Sequence, residues 1–188
     1  MNRGFSLIEL LITIAIIAFL AMIALPMTSA WIDGPDVTKT QTNFTRAYSL
    51  AKNIAIREGT AVPATGATSA LCLTTADDGT KTISVVKQSG DVGTAGRTPA
   101  DCQAATLASD PSPVVFSAEL RPNVDIQYGA AGALINFTCA CFTGNGALAN
   151  ILTTTNCKAA DNCLDGSVAN NSQFTFNKGS VNETATLF

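Results

Sequence analysis

The run Phe5-Ser6-Leu7-Ile8-Glu9-Leu10-Leu11-Ile12-Thr13-Ile14-Ala15-Ile16-Ile17-Ala18-Phe19-Leu20-Ala21-Met22-Ile23-Ala24-Leu25-Pro26, preceded by Met1-Asn2-Arg3-Gly4, decides how the rest of the chain is read. Phe5 to Leu25 is 21 residues. As an α-helix rising about 1.5 Å per residue it is about 32 Å long, close to the thickness of a bilayer's hydrocarbon core. Arg3 and the initiator amine lie before it, so the positive-inside bias keeps that end cytoplasmic and sends the rest of the chain outward. A secretory signal peptide is the competing reading, with Ala24 and Met27-Thr28-Ser29-Ala30 as a loose small-residue cleavage site. Glu9 argues against it. A charged side chain costs about 2.5–3.5 kcal/mol at the centre of a spanning helix, and less toward the interface. A signal peptide has no reason to carry that cost.

Gly4 followed by Phe5, with Glu9 at the fifth position after Gly4 and an uninterrupted apolar run, resembles the class III signal of type IV prepilins. The resemblance implies that a membrane prepilin peptidase cuts after Gly4, removes residues 1–4 as a leader, and methylates the new amine of Phe5. It implies that residues 5–26 are first a single-pass helix in the inner membrane and then an assembly helix, with Pro26 at the helix-kinking position of pilins. In that family the carboxylate at the position of Glu9 pairs with the N-terminal amine of a neighbouring subunit as the anchor helices pack. Physics accommodates the role: a buried carboxylate is tolerated when a cation meets it, and a polar group among packed helices fixes register. The K-type pseudopilin at the extreme tip of a secretion pseudopilus typically lacks this carboxylate, which implies a further subunit above the present chain.

After Pro26 the residues Met27–Gly34 suit a continuous helix poorly. Trp31 is an interfacial residue type, and Asp33-Gly34-Pro35-Asp36 reads as a turn. Asp36 then caps a second helix running to about Glu58 and ended by Gly59, so residues 27–59 join the anchor to the head. Val37, Phe44, Ala47, Tyr48, Ala51, Ile54 and Ala55 recur at spacings of three and four, while Lys39, Arg46, Lys52, Asn53 and Arg57 take the opposite face. Such a stripe is an amphipathic helix laid on a sheet. The tail Leu50-Ala51-Lys52-Asn53-Ile54-Ala55-Ile56-Arg57-Glu58-Gly59, followed by Val62 and Leu71-Cys72-Leu73, resembles the FimT/FimU minor pilins and the H-type pseudopilin of type II secretion. That resemblance covers residues 5–75.

Residues 60–188 read as a β-rich periplasmic or extracellular head, giving an α+β, pilin-like fold: a long N-terminal helix packed on an antiparallel sheet or sandwich. Short β-branched runs predict strands at 69–75, 81–87, 114–120, 124–128, 134–142, 172–177 and 184–188. Asp77-Asp78-Gly79, Gly144-Asn145-Gly146 and Asn177-Lys178-Gly179 read as turns, and 90–113 and 143–171 as long loops. Six cysteines, Cys72, Cys102, Cys139, Cys141, Cys157 and Cys163, all lie beyond the apolar run and form an even set in an exported domain, the pattern of a disulfide framework. Six cysteines allow 15 pairings. The favoured one joins Cys72 to Cys102 and sends Cys139 and Cys141, which share a strand face, to Cys157 and Cys163. A four-thiolate metal site from those last four is the alternative.

The chain contains no histidine, so a His-dependent triad or His-based zinc site is excluded and the prior for an enzyme falls. No phosphate loop, nucleotide fingerprint or carboxylate pair stands out. No catalytic residue, cofactor, metal or small-molecule substrate is therefore expected. Asp77-Asp78 lacks the spaced oxygen ligands of a calcium site. The triplets Asn43-Phe44-Thr45, Asn136-Phe137-Thr138, Asn170-Asn171-Ser172 and Asn182-Glu183-Thr184 match the glycosylation pattern, but coincidence suffices in an Asn- and Thr-rich chain. Some FimT-like pilins resemble DNA receptors, which need a basic patch. Here Lys81, Lys87, Arg97, Arg121, Lys158 and Lys178 are scattered among acids. The precursor holds 11 basic against 14 acidic side chains, loses Arg3 with its leader, and has no Gly-Arg-x-Arg type of tail. The expected partners are other pilin or pseudopilin subunits, the prepilin peptidase and the inner membrane, rather than nucleic acid.

Overall fold

The structure, a computed structural model, describes residues 6–59, 66–90, 99–102, 113–129, 132–150, 163–166 and 173–187. Its first element, α1, is one helix of 52 residues, Leu7–Glu58. The turn expected at Asp33–Asp36 is absent: α1 runs through Pro26, Gly34 and Pro35 without a break. Proline inside a helix removes one ladder bond and crowds the preceding turn, so other contacts must hold this stretch. They come from the head. Lys178 Nζ reaches Asp33 at 3.2 Å and Asp36 at 2.6 Å, and Arg121 Nε lies 3.4 Å from Asp36. The Thr38 hydroxyl lies 3.1 Å from the Gly34 carbonyl and 2.9 Å from a carboxylate oxygen of Glu183. Tertiary ties on both sides of Pro35 override the local turn preference. At the far end α1 stops at Glu58, because Gly59 lies against the backbone of Gly144, where a Cβ would collide with the Gly144 carbonyl.

Among the described residues nine strands follow: β1 (Ser69–Thr75), β2 (Lys81–Lys87), β3 (Val114–Glu119), β4 (Asp125–Tyr128), β5 (Ile135–Asn136), β6 (Cys139–Phe142), β7 (Cys163–Leu164), β8 (Gln173–Lys178) and β9 (Val181–Thr186). They make a five-stranded sheet ordered β3-β2-β1-β6-β7 and a four-stranded sheet ordered β5-β4-β8-β9. All pairings are antiparallel except β6 with β7. The architecture is α+β, a helix packed on antiparallel-rich sheets, consistent with a pilin-like fold.

Three strand expectations need correction. The run 134–142 is not one strand: it leaves the four-stranded sheet after β5 and enters the five-stranded sheet as β6. At the corner, Phe137 N–H donates to the Ile126 carbonyl and Leu73 N–H donates to the Thr138 carbonyl, one bond into each sheet. The last strand begins at Val181 rather than Thr184, because Gly179 adopts φ 57°, a left-handed conformation open to glycine, and closes a tight hairpin in which Lys178 pairs with Val181. Within the loop expected at 143–171 lies β7, which pairs with β6.

The main core lies between α1 and both sheets. Val37, Phe44, Ala47, Tyr48, Ala51 and Ala55 are buried on the helix, with Ile54 at the margin. Against them pack Leu71, Ile83, Val85, Ala140, Phe142 and Leu164 from the five-stranded sheet, and Ile126, Tyr128, Phe174 and Phe176 from the four-stranded one. Phe44 stands at the centre, with ring centroids 5.0 Å from Phe137, 4.8 Å from Phe174 and 5.4 Å from Phe176. One turn on, Tyr48 meets Phe142 edge-on at 5.1 Å. Aromatic pairs in such tilted geometries add about 0.5–1.5 kcal/mol beyond the area they bury. The other face of the five-stranded sheet carries a second, smaller core of Ala70, Cys72, Val86, Cys139, Cys141 and Cys163 beneath Ala67, Ala100 and Ala149.

Candidate functional site

The helix divides into two halves with opposite surfaces. From Val37 onward its apolar side chains are buried or half-buried against the head, apart from Ile56 near its end, which stays exposed. From Leu7 to Met22 they are bare: Leu7 is 82% exposed and Ile17 65% exposed, and the intervening apolar residues are open on every side. An apolar cylinder of that kind is stable only in lipid or against other apolar helices. Glu9 is the single charged side chain in this half and lies in the first helical turn, where a carboxylate favours the positive end of the helix dipole. It too is exposed, and the amides of Glu9 and Leu10 donate to the Ser6 carbonyl, so its carboxylate projects from a formed first turn. Gly4 and Phe5 lie outside the described residues. Among the described residues, no helical stretch is long and apolar enough to cross a membrane; side chains of the apolar run are described only as far as Met22.

The cysteines gather on the sheet face turned away from α1. Cys72 is bonded to Cys102 (Cα–Cα 5.4 Å) and Cys139 to Cys163 (Cα–Cα 4.4 Å). Cys141 is disulfide-bonded as well, and Cys157 lies outside the described residues. The bonding of Cys139 to Cys163 is incompatible with a four-thiolate metal site. Among the described residues no group of histidine, cysteine or carboxylate side chains is arranged to hold a metal.

The described basic side chains of the head pair with carboxylates. Lys81 lies 2.6 Å from Asp125, Lys87 3.7 Å from Glu58, and Arg121 and Lys178 bind Asp36. Arg97 and Lys158 fall outside the described residues. Asp36 is held below its ordinary carboxylate pKa, chiefly by the hydrogen bond from Lys178, and Lys178 is raised above its own, chiefly by the same bond. The Asp77-Asp78-Gly79 turn closes on itself: Asp78 accepts the Thr80 amide at 2.9 Å, which lowers its pKa, and Gly79 N–H donates to the Ala76 carbonyl. The Lys178 clamp is not legible in the sequence: Asp33 and Asp36 share a face only once the stretch is helical, and its composition reads as a turn.

Residues 1–25 match the family model described as the prokaryotic N-terminal methylation motif. The chain carries a prepilin-type signal. That match supports a type IV pilin-like or pseudopilin protein, made as a membrane-anchored precursor, processed by a prepilin peptidase and assembled with other pilins. Comparison with curated proteins and with solved structures gave no match.

Proposed function

We propose that this chain is a minor pilin of a type IV pilus, a structural subunit without catalytic activity. It is cleaved after Gly4, methylated at Phe5, and built into a filament near the tip or in the complex that initiates polymerisation. Through that role it serves adhesion, twitching motility or DNA uptake. The observation that carries the reading is the prepilin-type signal at the start of a helix whose first half is bare and apolar and whose second half is the core element of the head. A single rigid element then links assembly at one end to presentation at the other, with Glu9 meeting the N-terminal amine of a neighbour. The head faces the periplasm before assembly and contacts other subunits afterwards, with no nucleic acid or small molecule required.

The cysteine pattern favours a minor over a major pilin. Major pilins resemble one another in a single disulfide closing a loop near the C-terminus, whereas here the last cysteine is Cys163 and the bonds pin the five-stranded sheet. An H-type pseudopilin of a type II secretion system is the second reading, favoured by the resemblance through residue 75. The pairing of the described head cations with carboxylates weighs against a FimT-like DNA receptor.

The test is the amount of this protein, relative to the main subunit, in filaments sheared from the cell surface. A trace, reproducible amount beginning at methylated Phe5 is expected, and a Glu9→Leu chain should be processed yet missing from the filaments. Near-equal abundance would make it a shaft subunit. Complete absence, with processed protein held in the inner membrane, would favour the secretion pseudopilin.

A further inference from the structure

We propose that this chain is a client of a thiol–disulfide isomerase, because its native pairing differs from the one made by joining cysteines in the order in which they emerge. The inference rests on the exported head of the reading above. Cysteines that follow the anchor across the membrane in chain order and are oxidised as they appear would join as neighbours in sequence: Cys72 with Cys102, Cys139 with Cys141, Cys157 with Cys163. The first of these pairs is native. The others are not, since Cys139 is bonded to Cys163, across both intervening cysteines.

Sheet geometry adds a second route to error. Cys72 stands directly opposite Cys139 in the β1–β6 register, and Cys163 directly opposite Cys139 in the β6–β7 register. All three side chains are buried in the same small core, so three half-cystines form one row across three strands. Neighbouring strands lie about 4.8 Å apart, and disulfides span Cα separations of about 4.4–6.8 Å. Cys139 therefore has a partner within reach on each side, and strand pairing alone does not choose between them. Early closure of Cys72 onto Cys102 occupies one side of the row before Cys139 arrives.

Correction of a Cys139–Cys141 bond is an exchange without net oxidation. The Cys163 thiolate attacks Sγ of Cys139, the Cys139–Cys163 bond forms, and Cys141 leaves as a thiolate. If Cys163 is already bonded elsewhere, the isomerase's own thiolate attacks first, forms a mixed disulfide, and is expelled when the correct thiolate attacks in turn. Re-oxidation of Cys141 is left to the dithiol oxidase of the same compartment. Uncatalysed rearrangement takes minutes to hours, during which the five-stranded sheet would lack its β7 edge.

The full-length chain is to be produced in a bacterium with and without its periplasmic disulfide isomerase, both hosts keeping the oxidase. The Cys139–Cys163 linkage is then counted in peptide maps of alkylated, unreduced protein. Loss of the isomerase should lower that linkage several-fold and raise Cys139–Cys141 in its place. A Cys141→Ser/Cys157→Ser chain leaves four cysteines for which joining in sequence is already correct, so its linkage should be equal in the two hosts. Should that variant be degraded, an isomerase whose second active-site cysteine is replaced by alanine should still hold the unsubstituted chain as a mixed disulfide. Absence of that adduct counts against the proposal. Equal Cys139–Cys163 linkage of the unsubstituted chain in both hosts would overturn the inference and leave the export reading standing. Six fully alkylated cysteines in the normal host would overturn the export reading and the inference with it.

Discussion

Thr40 is the residue whose chemistry fits its place least well. It is fully buried in the helix stripe between Val37 and Phe44, and its hydroxyl has no hydrogen-bond partner. A buried hydroxyl without a partner costs about 1–3 kcal/mol, and replacing it by an apolar group of the same shape recovers part of that. Thr40→Val keeps the β-branch and the volume, so the full chain in detergent should gain about 1 kcal/mol and melt about 2–4 °C higher. Calorimetry or a thermal melt checks it; an unchanged or lower midpoint would mean that the hydroxyl meets a water inside the core. Thr40 also marks a limit of legibility at this scale. Val37, Phe44, Ala47, Tyr48, Ala51 and Ala55 were readable as core from their spacing, whereas a threonine in the same stripe reads as surface by residue type. Glu9 was readable for the opposite reason, since one carboxylate in an otherwise apolar run is conspicuous by its chemistry alone.

Among the elements, α1 is where local preference and tertiary structure disagree most. Asp33-Gly34-Pro35-Asp36 has the composition of a turn, and nothing nearby in sequence announces that the helix continues. The ties that keep it helical come from Lys178 and Glu183, some 145 residues away along the chain. The two-residue strand β7 was equally illegible, because Cys163-Leu164 has no alternation to read and owes its place to pairing with β6 and to its disulfide. The β1–β2 hairpin, by contrast, was readable from Asp77-Asp78-Gly79 and the β-branched runs around it. Lys178→Met removes the cation that bridges Asp33 and Asp36. Amides from Trp31 to Thr38 should then exchange faster with solvent, while those from Phe44 to Ala55 keep their protection. Acid should imitate the substitution. Asp36 has a folded-state pKa below its ordinary value of 3.8, so its contribution is present above that pH and is lost as pH falls through the lowered value. Lys178 is raised above 10.5, so its contribution holds throughout the neutral range and fades only in strong alkali. Exchange at Trp31–Thr38 that is unchanged at both neutral and acid pH would remove the clamp from the account of helix continuity.

For the molecule as a whole, the question is whether two sheets with separate backbone ladders, joined by the Lys81–Asp125 pair, melt as one unit. Each sheet buries one face against α1, and the aromatic cluster crosses the gap: Phe44 touches Phe174 and Phe176 of β8, Tyr48 touches both Phe174 and Phe142 of β6, and Phe137 occupies the corner where the chain passes between sheets. A load on the bare half of the helix would therefore reach both sheets through the same few rings. Phe44→Ala removes the central ring, and large-to-small changes of this kind cost about 3–5 kcal/mol. If α1 couples the sheets, protection of the β2 and β8 amides from global exchange should fall by the same amount, and the transition should remain single. If the four-stranded sheet is a separate unit, β8 and β9 should lose protection while β1, β2 and β6, held by the Cys72–Cys102 and Cys139–Cys163 bonds, keep theirs. Reduction separates the two cases further. Opening the Cys72–Cys102 bond, which closes a loop of 30 residues, should cost about 3–4 kcal/mol by loop entropy. In a coupled molecule that loss appears in β8, a strand with no cysteine, as fully as in β1. In an uncoupled one, β8 is untouched.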